Sequence, residues 1–72
     1  MRAYRVEYKA WENGEYKHVD VLAKSVADAY TKAVYDVILK QDGSLPYSAW
    51  VASVTYNNGN YKMFNNFEGK PY

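Results

Sequence analysis

The chain has 72 residues, a net charge of +1 and no cysteine, which leaves room for one domain and excludes a disulfide-stapled mini-protein. Its charges are spread along the sequence without a basic block, so the main electrostatic signature of phosphate-backbone binding is missing. Charged residues interrupt residues 1–24, so we expect no signal peptide, and the apolar runs elsewhere, such as residues 37–39, are too short for a membrane span. The absence of cysteine predicts a cytoplasmic location.

Two strands are predicted at residues 2–11 and 16–24, where apolar and polar side chains alternate. Asn13-Gly14 lies between them and favours a two-residue type I′ turn. Counting outward from that turn places Trp11 opposite Tyr16. The inner face of this hairpin is then expected to carry Tyr4, Val6, Tyr8, Val19, Val21 and Ala23.

A helix is predicted to begin at Ser25, which with Asp28 resembles a capping box, and to end at Asp42-Gly43. Asp28–Lys32 and Asp36–Lys40 are acid-before-base pairs four residues apart, which indicates a solvated side. The opposite, apolar side is expected to carry Val26, Ala29, Tyr30, Ala33, Val34, Val37 and Ile38.

A second hairpin is predicted from residues 49–56 and the segment after Asn58-Gly59. Counting outward from this turn places Val54 opposite Met63. The side chains expected to point inward are those of Ala52, Val54, Tyr56, Tyr61 and Met63, and those expected to point outward include Val51 and Phe64. Residues 66–72 are predicted to form an irregular tail.

These elements predict an α+β, ββαββ domain over residues 1–72. If the third strand lies beside the first, every neighbouring pair is antiparallel, so we expect a mainly antiparallel four-stranded sheet in the order 2-1-3-4. One helix can cover only one face of such a sheet, so the other face is expected to be open.

The sequence offers little for catalysis. It has no thiol, and none of its serines has a base and an orienting acid predicted beside it. Glu7 is expected opposite Asp20 on the outer face near His18, an arrangement that could bind a divalent cation or could be an ordinary solvated surface, which we favour. We therefore expect no enzyme, no catalytic residues, no metal and no cofactor.

Aromatic residues make up 18 % of the chain, and tyrosine and tryptophan are enriched at interfaces. A partner-binding surface is predicted on the open face, although a Trp11–Tyr16 pair could simply pin its hairpin. A second patch on the helix has Tyr35 and Leu39, which could also be a local pair. The residues predicted to contact a partner are Arg5, Lys9, Trp11, Tyr16, Leu22, Tyr35, Leu39, Lys62 and Phe64.

The leading interpretation is a small, non-enzymatic protein-binding module, with a homodimer through the fourth strand or the open face as one form of it. The alternative is single-stranded nucleic-acid binding, with aromatic rings stacking on bases. The short, cysteine-free chain, rich in Tyr, Asn and Lys, is similar to small proteins of low-GC bacteria and their phages. That resemblance implies an accessory protein or an inhibitor of a host protein.

Overall fold

The computed structural model describes residues 1–64 and the backbone of Lys70–Pro71. Its elements are the strands β1 (Arg2–Lys9) and β2 (Tyr16–Ala23), a helix α1 over residues 26–42, and the strands β3 (Ser48–Thr55), β4 (Tyr61–Met63) and β5 (Lys70–Pro71). The sheet has the order β2-β1-β3-β4, with β5 beside the start of β3, and each pair is antiparallel. The α+β class, the strand order and the single helix packed on one face are confirmed. The predicted tail at 66–72 lies outside the described residues except for Lys70–Pro71, which form the short β5.

The core lies between the sheet and α1. Tyr8, Val6, Val34 and Ile38 are among its largest fully buried side chains. Burying such side chains supplies most of the favourable free energy of folding. The complete buried cluster is Tyr4, Val6, Tyr8, Ala23, Ala29, Ala33, Val34, Ile38, Ala49, Val51 and Val54, with Val19, Val21, Tyr30, Tyr56 and Phe64 packed against it.

The first hairpin does not have the predicted register. Lys9 pairs with Tyr16, and a six-residue loop, 10–15, replaces the two-residue turn. The N–H of Gly14 donates to the carbonyl of Trp11 at 2.9 Å, and Gly14 lacks the positive φ that a type I′ turn requires. The register is displaced by two residues, which keeps each side chain on its predicted face, so the inner face was predicted correctly although the Trp11–Tyr16 pairing was wrong.

The register of the second hairpin differs from the predicted register by one residue, so each β4 side chain lies on the face opposite to the predicted one. The turn is centred on Asn57-Asn58, and Gly59, with φ of +90°, follows it as a third loop residue. This is the pattern of a type I turn followed by a left-handed glycine, which adds one residue to the loop. Met63 therefore lies opposite Ser53 and points outward, whereas Phe64 packs against the core.

A bulge in β3 makes the predicted outward direction of Val51 wrong. Val6 lies opposite Val51, but the preceding Arg5 lies opposite Ser53, so β3 has one extra residue, Ala52, at this point. The bulge lets both Val51 and Val54 face the core although they are three positions apart, a spacing that would place them on opposite faces of a regular strand. Val51, predicted to point outward, is buried.

The helix begins as predicted. Ser25 accepts the N–H of Asp28 at 3.1 Å, and the Asp28 carboxylate accepts the N–H of Lys24 at 3.0 Å. This hydrogen bond from Lys24, together with the Lys32 ammonium at 3.2 Å, lowers the pKa of Asp28. The Asp28–Lys32 ion pair is thus confirmed, and Gly43, with φ of +78°, ends the helix.

The middle of α1 is wound as a π-helix over Lys32–Ile38, where the N–H of Leu39 reaches back five residues to the carbonyl of Val34. On the predicted apolar side, Ala29, Ala33, Val34 and Ile38 are buried and Tyr30 packs against the core, whereas Val37 is only half-buried. Val26 is exposed because it lies at the very start of the helix. No helix in the described part of the chain combines the length and the apolar character needed to cross a membrane.

Tyr8 makes the stability of the fold sensitive to alkaline pH. Burial raises its pKa above the ordinary value of 10.0, with a smaller contribution from Asp42, while a hydrogen bond from Gln41 acts in the opposite direction. The neutral phenol is therefore favoured in the folded state. Its contribution to stability is fully present below about pH 10, the unfolded pKa, and is lost as pH rises through the folded pKa.

We expect Tyr8→Phe to show a shallower fall in the free energy of unfolding above pH 10 than the parent chain. At pH 7 the variant loses only a hydrogen bond, which costs about 1 kcal/mol. Urea unfolding at pH 7 to 11 measures both effects, and Tyr35→Phe, at an exposed position, serves as the control. Identical pH slopes for the parent and Tyr8→Phe would contradict this role of Tyr8.

Candidate functional site

The face of the sheet opposite α1 is the candidate site, and we call it the open face. The registers arrange its side chains in rows that cross the strands. The first row is Leu22, Ala3, Thr55 and Tyr61, and the second is Asp20, Arg5, Ser53 and Met63. The third row is His18, Glu7 and Trp50, and the fourth is Tyr16, Lys9 and Ser48.

Residues of the first two rows line an open groove of about 370 Å³, which we call the central groove. Its lining on the open face consists of Ala3, Arg5, Asp20, Ser53, Thr55, Tyr61 and Met63. Small side chains lie opposite large ones in these rows, and this contrast in size leaves the depression. Tyr61 and Met63 are 69 % and 54 % exposed, so two large apolar side chains border the groove and are accessible to a partner.

An ion pair between Arg5 on β1 and Asp20 on β2 lines one side of the central groove, across from Tyr61 and Met63 on β4. The Nε of Arg5 lies 3.1 Å from a carboxylate oxygen of Asp20, and both side chains are about half exposed. The hydrogen bond to Asp20 is the main cause that holds the pKa of Arg5 above its ordinary value. Because the two charges neutralise each other, the groove combines polar hydrogen-bonding groups with little net charge.

An aromatic corner formed by Trp50, Tyr16, Glu7 and Lys9 adjoins the groove. The indole N–H of Trp50 donates to Glu7 at 3.2 Å, and the rings of Tyr16 and Trp50 meet edge to face with their centroids 5.3 Å apart. The Lys9 ammonium lies 5.1 Å from the centroid of the Tyr16 ring. Trp50 is only 9 % exposed, so its ring supports the face and Tyr16 presents the accessible aromatic surface.

Four of the nine predicted contact residues lie together on the open face: Arg5, Lys9, Tyr16 and Leu22. Lys62 lies opposite Val54 and so points to the helix side of the sheet, and Phe64 packs against the core. The placement of these two residues on the open face was wrong, because the loop before β4 has one more residue than predicted.

The remaining three predicted contact residues lie elsewhere. Trp11 is 62 % exposed and covers Gly14, where an added Cβ would meet its indole ring at 3.2 Å. It therefore belongs to the 10–15 loop and does not pair with Tyr16. On α1, Tyr35 is exposed and Leu39 is half-buried.

Sequence reasoning missed Trp50, Tyr61 and Met63. Gly59 could have indicated the correct faces of Tyr61 and Met63. Glycine suits the left-handed position after a type I turn, so the segment Asn57-Asn58-Gly59 favours a three-residue loop over the predicted two-residue turn. The face of Trp50 could not be predicted by alternation, because the β3 bulge reverses the alternation between Trp50 and the later residues of the strand.

The predicted Glu7–Asp20 pair does not form. Glu7 lies opposite His18, and Asp20 lies opposite Arg5. Within residues 1–64 and Lys70–Pro71, no group of three or more His, Cys, Asp or Glu residues could hold a metal ion. The groove therefore has exposed apolar side chains on its β4 side and a neutralised ion pair on its β2 side.

No protein-family model, curated protein or solved structure matches the chain.

Proposed function

We propose that this chain is a small, non-enzymatic module that binds another protein through its open face. The observation that carries the proposal is the central groove, which exposed Tyr61 and Met63 line on one side and the Arg5–Asp20 ion pair lines on the other. Interfaces typically combine an apolar or aromatic centre with polar groups that fix orientation.

The groove favours an apolar side chain of the partner, inserted between Met63 and the small side chains of Ala3 and Ser53. Arg5 has five N–H donors, and its ion pair with Asp20 uses Nε. The remaining donors can meet carbonyl oxygens of the partner's backbone. Tyr16 and Leu22, at the two ends of β2, enlarge the contact area.

The alternative, single-stranded nucleic-acid binding, would use Tyr16 and Tyr61 as stacking surfaces. Phosphates would then compete with Asp20 for Arg5, and Lys62 points to the other side of the sheet. The two cations of the open face, Arg5 and Lys9, are matched by Glu7 and Asp20, so its charge favours a protein partner. The resemblance to small proteins of low-GC bacteria and their phages implies a host protein as that partner.

We expect Met63→Glu to reduce capture of the partner at least tenfold, because a carboxylate would be desolvated against an apolar contact (a loss of about 1.4 kcal/mol or more). The matched control is Lys62→Glu, one residue away on the other side of the sheet. Affinity capture from a lysate of the source organism, with and without nuclease, compares the parent and both variants. Circular dichroism confirms that each variant is folded.

A protein retained by the parent and by Lys62→Glu but lost from Met63→Glu supports the proposal. Equal loss from both variants would instead indicate a general electrostatic effect. Capture that disappears after nuclease treatment, and that falls steeply with salt, would favour the nucleic-acid alternative.

A further inference from the structure

Strand β2 is the long edge of the described sheet, because it pairs with β1 on one side only. Alternate residues of such a strand direct their backbone N–H and C=O groups away from the neighbouring strand. The Nζ of Lys32 lies 3.3 Å from the carbonyl oxygen of Leu22, which identifies Leu22 as one of the residues directed to the free edge. By alternation, Tyr16, His18 and Asp20 are the others.

The free edge is protected at its ends more than at its centre. Lys32 donates to the carbonyl of Leu22, so the backbone hydrogen bonds of an added strand would centre on His18 and Asp20, and Lys17 and Lys24 add charge near the two ends of the strand. At the centre, His18 and Asp20 leave backbone groups available to an added strand. With eight residues, β2 is also a longer template than β4, which has three.

We propose that β2 pairs with β2 of a second copy of this chain, antiparallel, around a two-fold axis at Val19. In this register Val19 lies opposite Val19 of the second copy. Because residues directly opposite each other share a face, Asp20 then meets His18 of the second copy, and Tyr16 meets Leu22 of the second copy. The Val19 contact lies on the axis and occurs once, whereas each of the other two contacts occurs twice.

Side-chain complementarity selects this register over its neighbours. An axis at Asp20 would place the two Asp20 carboxylates against each other, which is unfavourable. An axis at His18 would place Tyr16 against Asp20 and leave Leu22 beyond the paired segment. With the axis at Val19, the exposed Tyr16 and Leu22, at 66 % and 63 %, cover each other on the open face.

The pairing extends the sheet and places the open faces of both copies on the same side, because the two-fold axis is perpendicular to the sheet. The dimer would therefore present two central grooves on one continuous surface. This inference rests on the β2 edge and not on what the grooves bind; in the dimer Tyr16 and Leu22 contact the second copy, and the groove lining at Tyr61 and Met63 stays available to a partner.

The natural absence of cysteine makes the register directly testable. In the proposed register, Val19 forms a pair without backbone hydrogen bonds, whose Cα separation of about 4.5 Å lies within the range for a disulfide. We expect Val19→Cys to form a covalent dimer on mild oxidation faster than His18→Cys or Asp20→Cys. Faster cross-linking from position 18 or 20, or equal rates from all three, would overturn the proposed register.

Sedimentation of the unmodified chain over a range of concentrations tests association itself, and we expect a monomer–dimer equilibrium. Tyr16→Glu should raise the dimer dissociation constant at least tenfold, and adding Leu22→Lys should restore it through an ion pair between the two copies. Tyr35→Glu on the helix is the control and should leave it unchanged. A parent chain that stays monomeric at all concentrations, or a double variant that stays as weak as Tyr16→Glu, would overturn the proposal.

Discussion

Replacing Trp50 by alanine is expected to lower the free energy of unfolding by about 3 kcal/mol, although Trp50 lies on the side of the sheet that the helix leaves open. Its side chain is 9 % exposed, donates a hydrogen bond to Glu7 and packs edge-on against Tyr16. Truncation would remove the indole from this packing and leave Glu7 without its N–H donor.

Trp11→Ala is the matched control, because it removes the same side chain from an exposed loop. Trp11 contacts Gly14 and is 62 % exposed, so we expect its loss to cost about 0.5 kcal/mol. Urea unfolding followed by circular dichroism measures both variants without relying on tryptophan fluorescence. Equal losses from the two substitutions would show that Trp50 does not support the open face.

Ile38→Ala is expected to cost about 3 kcal/mol, from lost burial and the cavity left behind. Ile38 is fully buried at the end of the π-helical stretch, where it belongs to the core between helix and sheet. A 72-residue chain has a total stability of only about 4–11 kcal/mol, so this single substitution should remove between about a quarter and three quarters of it.

The next residue along the helix supplies the control. Leu39 is half-buried, and Leu39→Ala should cost about 1 kcal/mol because its side chain already meets solvent. Thermal and urea unfolding compare the two variants. A larger loss from Leu39→Ala than from Ile38→Ala would mean that the helix presents a different side to the sheet.

The architecture could be predicted from the sequence because several independent signals agree. Alternation in β1 and β2 identified the inner face, and the Ser25 cap and Gly43 placed both ends of the helix. The preference for antiparallel neighbours then gave the strand order. The predicted turn of the first hairpin was wrong, but the predicted faces were right, since a displacement of two residues preserves the face of each side chain.

The candidate site could be predicted only in part, because it depends on single-residue changes in register. One extra loop residue at Gly59 moved Met63 onto the open face and Phe64 under the helix. The extra residue Ala52 makes the side chain of Val51 point into the core. Alternation alone cannot place such bulges, since their effect is to interrupt the alternation. The π-helical stretch was missed because the apolar spacing also fits an α-helix.

Photo-cross-linking from two adjacent positions tests most directly whether the open face binds the partner. A benzophenone amino acid at position 63 lies on the open face, and the same amino acid at position 62 lies on the other side of the sheet. We expect irradiation in a lysate of the source organism to attach a protein to position 63 and not to position 62. Equal attachment from both positions, or attachment from position 62 alone, would contradict binding through the open face.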